Sequence, residues 1–147
     1  MSDEVREYAA HARSTETFGR VHTVCRNHHL MADGPVWNGC PGEAITPGEL
    51  FLAAVAACGV ELTQVIGRER GIEVAGVRAD ITAVLDRSNP VRPDATVFNS
   101  VRLRFDLDGV DEATASELID GFKKRCPLFG TVVSAVPDVS VEWTCAA

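Results

Sequence analysis

The chain has 147 residues, 46% of them hydrophobic and 24% charged, with a net charge of −7. That length suits one domain with a sizeable core. The acidic balance, with no basic stripe interleaved by aromatics, argues against nucleic acid and anionic membranes as partners.

The first residues, Met1-Ser2-Asp3-Glu4-Val5-Arg6-Glu7, are polar and acidic and lack the basic start and apolar run of a secretory signal. The longest apolar run, Leu50 to Cys58, is too short to span a bilayer. A cytoplasmic, membrane-free protein is therefore expected. The five cysteines, at positions 25, 40, 58, 126 and 145, are odd in number and include no Cys-x-x-Cys, which argues against a structural disulfide framework.

In chain order, residues 1–16 are expected to be a flexible lead-in and residues 17–147 a single domain. Phe18 to Cys25 and His29 to Ala32 read as the arms of a hairpin turning near Arg26-Asn27-His28. Residues 33–46, with Gly34-Pro35, Asn38-Gly39 and Pro41-Gly42, read as a loop. Thr46-Pro47-Gly48-Glu49 is a capping box with proline at the first helical position, so a helix is predicted from there to Arg70, ending at Gly71. Its apolar residues lie on more than one side, which predicts a central, buried helix.

Val77, Ala79, Ile81, Ala83 and Leu85 alternate with polar residues, as do Val97, Val101, Leu103, Phe105 and Leu107. Both patterns predict strands with one wet face, antiparallel to each other across the Asn89–Asp94 connection. Asp111 suits the N-cap of a second helix with an apolar stripe of Ala115, Leu118, Ile119 and Phe122. Cys126-Pro127 opens a short third helix, and Val139, Val141 and Trp143 alternate as a closing strand. The order is α+β rather than doubly wound.

The chemistry centres on two thiols. Cys58 lies inside the long apolar helix. Cys126 stands directly before a helix-starting proline, where free N–H groups and the helix dipole favour thiolate. Brought together, such a pair provides one sulfur to attack and one to resolve. The bland readings are a small core residue for Cys58 and a polar helix cap for Cys126. His22, Cys25, His28, His29 and Cys40 raise a further reading, a zinc-stabilised module. Their spacing matches no standard finger, however, and a strand would put His22 and Cys25 on opposite faces. Trp37 and Phe51 could line a pocket or simply pack.

The block Thr46-Pro47-Gly48-Glu49-Leu50-Phe51-Leu52-Ala53-Ala54-Val55-Ala56-Ala57-Cys58, the Cys126-Pro127 pair, and the order of elements from Phe18 to Thr144 together resemble the OsmC/Ohr family of thiol-dependent peroxidases and their relatives. The resemblance implies an OsmC-like fold: antiparallel sheets wrapping a long central helix in an intertwined homodimer, with active sites at the subunit interface. It implies reduction of organic hydroperoxides, with Cys58 attacking and Cys126 resolving. No bound cofactor is implied, only an external dithiol reductant of the lipoyl type.

In the best-characterised peroxidases of that family an arginine on the N-terminal hairpin pairs with a glutamate ten residues before the attacking cysteine. Here that position is Gly48 and the acid is Glu49, a shift of about 100° around a helix. Glu49 is thus a capping residue or a catalytic partner, and Arg20 is the first candidate for the arginine. Arg26 is the second, because Arg26-Asn27-His28-His29-Leu30-x-x-Asp33 resembles a block of the broader OsmC-like branch. Membership of that branch implies the alternative function, a non-enzymatic binding or redox-sensing dimer with an apolar pocket.

Overall fold

The structure is a computed structural model and describes residues 5–147. The first four residues of the expected lead-in lie outside the described residues. The chain divides into two compact units, Met1–Phe51 and Leu52–Ala147.

The first unit is a three-stranded antiparallel sheet, β1 (His11–Ser14), β2 (Arg20–Cys25) and β3 (His28–Asp33), in that order. β1 falls in the segment expected to lack regular structure. All four of its residues are exposed, so it carries no buried alternation from which a strand could be read. β2 and β3 form the expected hairpin, in a register that pairs Arg20 with Asp33 and Cys25 with His28. The turn is therefore the two residues Arg26-Asn27, and Arg26 takes a left-handed φ of 57°. A short 3-10 turn, Val36–Asn38, interrupts the loop that follows.

Helix α1 (Pro47–Glu69) begins in the first unit and continues in the second. Both of its predicted ends are observed. The Thr46 N–H and hydroxyl donate to Glu49 Oε2 at 2.8 and 2.9 Å, and the Glu49 N–H donates to Thr46 Oγ1 at 3.3 Å. This is the reciprocal capping box. At the other end Gly71 adopts φ 68° and the Ile72 N–H reaches back to the Gly67 carbonyl at 2.9 Å, as glycine-terminated helices do.

In the second unit β4 (Gly76–Val84) and β5 (Ser100–Asp108) pair antiparallel, as predicted. Helices α2 (Glu112–Arg125) and α3 (Pro127–Ala135) then return the chain to β6 (Asp138–Ala146). β6 runs parallel to β5, which departs from the all-antiparallel expectation. The two intervening helices make the reason plain: a parallel neighbour needs a long crossover, and α2 and α3 supply one.

The core of this unit joins Leu103, Phe105 and Leu107 of β5, Ile66 of α1, Ala115, Leu118, Ile119 and Phe122 of α2, and Phe129 of α3. α1 is buried along a single stripe, Val55, Gly59, Thr63, Ile66 and Gly67. Within one chain it is not covered on all sides as expected: Ala53, Ala54 and Ala57 are exposed. By length and composition α1 is also long and apolar enough to cross a membrane, with 23 residues and a mean hydropathy of 1.8 over its most apolar stretch. The Leu50–Cys58 run understates this length, because across residues 50–67 only Glu61 is charged and one charge interrupts a run without abolishing its hydropathy. A core helix passes the same test, and the buried stripe of α1 packs as one.

Candidate functional site

Cys58 and Cys126 are 68 residues apart in the chain, yet their sulfurs are hydrogen-bonded at 2.8 Å. Small residues on two helices allow the approach. A Cβ on Gly59, next to Cys58, would lie 2.7 Å from Phe105 and 3.5 Å from Phe122, and a Cβ on Gly121 would lie 2.9 Å from Ile66. α1 therefore sits close against α2 and β5 where Cys58 emerges, and α2 delivers Cys126 at its end.

Cys126 is the one extended residue between two helices, with φ −79° and ψ 112°. It is buried, and its sulfur accepts the Phe129 N–H at 3.3 Å as the N-cap of α3. Cys58 is half-buried beside the core. Burial foremost, then the hydrogen bond to Cys126 and the negative charges of Cys126 and Glu61, pushes the Cys58 thiol up to about 12. In the surroundings this unit gives it, Cys58 is a protonated thiol at neutral pH, and attack through sulfur requires a cation to lower it.

Arg20 and Glu49 both belong to the first unit. Arg20 makes a bidentate pair with Asp33, both bonds 2.8 Å, and a third bond to Glu43 at 2.7 Å. Asp33 is fully buried. It also accepts the N–H groups of Glu43 and Ala44, each at 3.0 Å. The guanidinium foremost, and then those two N–H groups, hold its carboxyl well below the usual carboxylate range. The same pairing raises Arg20. Glu49 is held by Thr46, whose N–H and hydroxyl lower its pKa. The acids on Arg20 are thus Asp33 and Glu43, while Glu49 serves the helix cap. Arg26 sits at the hairpin tip, at the opposite end of β2 from Arg20.

The His/Cys cluster divides by strand parity. His22 Nε2 and His29 Nδ1 meet at 2.9 Å, and Arg13 Nε donates to His22 Nδ1 at 3.1 Å. Cys25 and His28 pair on the opposite face of the hairpin. Cys40 is wedged between Gly19 and Gly34, where an added Cβ would fall 2.3 and 2.4 Å from its sulfur. Among the described residues, no three His, Cys, Asp or Glu side chains gather into a group that could hold a metal. Cys145 pairs with Leu107 across the second sheet, and Trp37 is 84% exposed. A cleft of about 280 Å³ lies in the β4–β5 loop, against Leu85, Pro90, Val91 and Val97, and neither thiol of the pair lines it.

Sequence reasoning did not assign Asp33 and Glu43 as partners of Arg20. The signal for Asp33 was arithmetic: a turn at Arg26-Asn27 sets residue 20 opposite residue 33. Glu43 carried no such signal, because a loop residue has no register.

The family model of OsmC-like proteins matches residues 40–142. The chain belongs to the OsmC-like family. Solved structures agree in fold. An OsmC-like protein of Mycoplasma pneumoniae is 18% identical with a TM-score of 0.83, covering 97% of this chain and 99% of that one. An organic hydroperoxide resistance protein OsmC of Legionella pneumophila is 23% identical with a TM-score of 0.73 over 97% and 99% of the two chains. The organic hydroperoxide resistance protein OhrB of Bacillus subtilis is 21% identical with a TM-score of 0.65 over 95% and 98%. No curated protein sequence matches the chain. Within this OsmC-like chain, the thiol pair lies in the part that the family model matches, and Arg20 and Asp33 lie before it.

Proposed function

We propose that the protein is a thiol-dependent peroxidase that reduces small organic hydroperoxides in defence against peroxide stress. The observation that carries this reading is the 2.8 Å contact between Cys58 and Cys126. In the proposed cycle the Cys58 thiolate attacks one peroxide oxygen and the O–O bond breaks. The alkoxide leaves and takes a proton to become the alcohol, and Cys58 becomes a sulfenic acid. The Cys126 thiol displaces hydroxide from that sulfur, water forms, and a Cys58–Cys126 disulfide results. An external dithiol, lipoyl-type by family resemblance, then reduces the disulfide by exchange, with no bound cofactor.

Arg20 is the cation this reading assigns to lowering the Cys58 thiol, with Glu49 fixing the first turn of its helix. The names of the Legionella and Bacillus proteins support the substrate class. A homodimer is part of the proposal: Ala53, Ala54 and Ala57 on α1, and Val36 and Trp37 on the 3-10 turn, are exposed in a single chain and would gain from a second copy. A cytoplasmic site of action fits thiols kept reduced.

A second reading is a redox-sensing or ligand-binding dimer without turnover. It is favoured by the elevated Cys58 thiol and by the carboxylates that occupy Arg20. Turnover of cumene hydroperoxide with a dithiol separates the two. Wild-type turnover that vanishes in Cys58→Ser supports the peroxidase. A wild type that forms the disulfide once but does not turn over supports the sensor. Full activity in Cys58→Ser ends the first reading.

A further inference from the structure

Arg125 immediately precedes Cys126 and is the last residue of α2. Its guanidinium makes a bidentate pair with Glu69 of α1, Nη1 to Oε2 at 2.5 Å and Nη2 to Oε1 at 3.1 Å. Glu69 lies on the same helix as Cys58, three turns further on, about 16 Å along the axis. The helix that carries one thiol therefore grips the residue next to the other. We propose that Arg125 and Glu69 are a positioning pair for the disulfide step, a clamp that holds Cys126 against Cys58. The proposal rests on the two-cysteine reading of the site and adds to it the groups that set the sulfur geometry.

The backbone explains why a clamp is needed. Cys126 is the single non-helical residue between α2 and α3, so its sulfur goes wherever the two helix ends place it. The α3 end is fixed locally: the Phe129 N–H bonds the Cys126 sulfur, and the Phe129 ring lies 5.1 Å from that of Phe122. The α2 end has Phe122 in the core one turn back. Beyond Phe122, the side chain of Arg125 on Glu69 ties the terminal turn to α1, while Lys123 over the Trp143 ring, 5.4 Å from its centroid, ties it to β6. The Arg125 side chain is 24% exposed, and its Nε–H is buried without an acceptor. An orphaned buried donor is unfavourable, so the bidentate pair holds the group where it would not otherwise rest. Each partner favours the charged form of the other, Glu69 shifted down and Arg125 up.

Closing the disulfide takes the sulfurs from 2.8 Å to about 2.05 Å. Misplacement on the order of 1 Å lowers the effective concentration of one reacting group at another by large factors. A loosened α2 end would leave both thiols present and less able to join.

The test is the equilibrium between the full-length protein and mixtures of oxidised and reduced dithiothreitol. In that exchange the two protein thiols lose two hydrogens and oxidised dithiothreitol gains them, with no peroxide involved. Acid quenching, alkylation and mass analysis count the Cys58–Cys126 disulfide. Glu69→Ala is expected to lower the equilibrium constant about tenfold, and Glu69→Gln, which keeps an acceptor, about threefold, on the scale of a lost charge-assisted bond. The double variant with Arg125→Ala should lose no more than the larger single loss, because both residues act through one contact. Glu69→Gln, with far-UV circular dichroism unchanged, provides the reading if Glu69→Ala is unstable. An equilibrium constant within twofold of wild type in a folded variant overturns the clamp, even if its melting temperature falls. A parallel arm with cumene hydroperoxide separates the two claims. A wild type inert to peroxide whose dithiothreitol equilibrium shifts with Glu69 keeps the clamp and ends the peroxidase reading. The reverse pattern ends the clamp alone.

Discussion

Gly59 lies so close under Phe105 that a Cβ on it would fall 2.7 Å from the ring. Alanine there gains about 1 kcal/mol of helix propensity but must displace a ring that is fully buried, with Phe122 behind it. Overpacking of this kind costs about 1–3 kcal/mol, and both rings are fully buried, so the loss is expected to outweigh the gain. Gly59→Ala is expected to lower the denaturant midpoint. Because Gly59 adjoins Cys58, it should also slow disulfide formation with oxidised dithiothreitol. Equilibrium denaturation and the exchange assay check the two effects separately.

Much of this arrangement was legible in the sequence, and the parts that were not have physical causes. The cap at Thr46, the stop at Gly71 and the stripe of α2 depend on neighbours three or four residues away, so the local pattern carries them. The meeting of Cys58 and Cys126 depends on contacts at Gly59 and Gly121 across three elements, and only family resemblance anticipated it. β6 lies parallel to β5 because of the helices between them, which alternation within a strand cannot report. β1 escaped notice because its residues are exposed, so no face had to be apolar. The partners of Arg20 were missed differently: the displaced acid at Glu49 drew attention, while the hairpin register already set Asp33 opposite Arg20.

The buried carboxylate of Asp33 makes a prediction about the first unit. It joins β3 to Arg20 of β2 and to the loop N–H groups of Glu43 and Ala44. Asp33→Asn removes the charge and leaves at least one of these donors facing an amide N–H. It should lower the melting temperature more than Glu43→Gln, whose side chain is 75% exposed. The pH dependence follows from the depressed pKa. A folded value below the unfolded one contributes stability that is fully present above about pH 4 and is lost as pH falls toward the folded value. Wild type should therefore lose stability on acidification below about pH 4 more steeply than Asp33→Asn. Parallel slopes for the two proteins between about pH 4 and pH 2 would count against the pair.

The capping box at Thr46 and Glu49 separates structural from catalytic roles for the acid. Thr46→Ala removes the acceptor for the Glu49 N–H and should cost about 1 kcal/mol. Glu49→Gln keeps a side chain that can accept from Thr46. If Glu49 serves the cap, Glu49→Gln retains both stability and the rate of peroxide-driven disulfide formation. A rate that collapses in Glu49→Gln while the melting temperature holds would assign the carboxylate to the chemistry.

The thiol of Cys58 gives the sharpest pH prediction. Its pKa is raised to about 12, with burial as the leading cause, against about 8.5 for an ordinary cysteine. For an acid raised on folding, the protonated form is favoured in the native state. Its contribution to stability is complete below about pH 8.5 and falls as pH rises toward the folded value, because the unfolded chain ionises first. Stability of the wild type should therefore decline between about pH 8.5 and 11, and Cys58→Ala should flatten that decline. Alkylation of Cys58 by iodoacetamide should climb through the same interval without a plateau near 8.5. Cys126→Ala removes the hydrogen bond and the neighbouring charge but leaves the burial, so the alkylation profile should move to lower pH without reaching the ordinary thiol value. If Arg20 is the cation that activates this thiol, a wild type assayed as its native assembly will plateau near or below 8.5, and Arg20→Ala will restore the climb. A high profile in both proteins would leave Cys58 without its activating partner and would favour the sensor over the peroxidase.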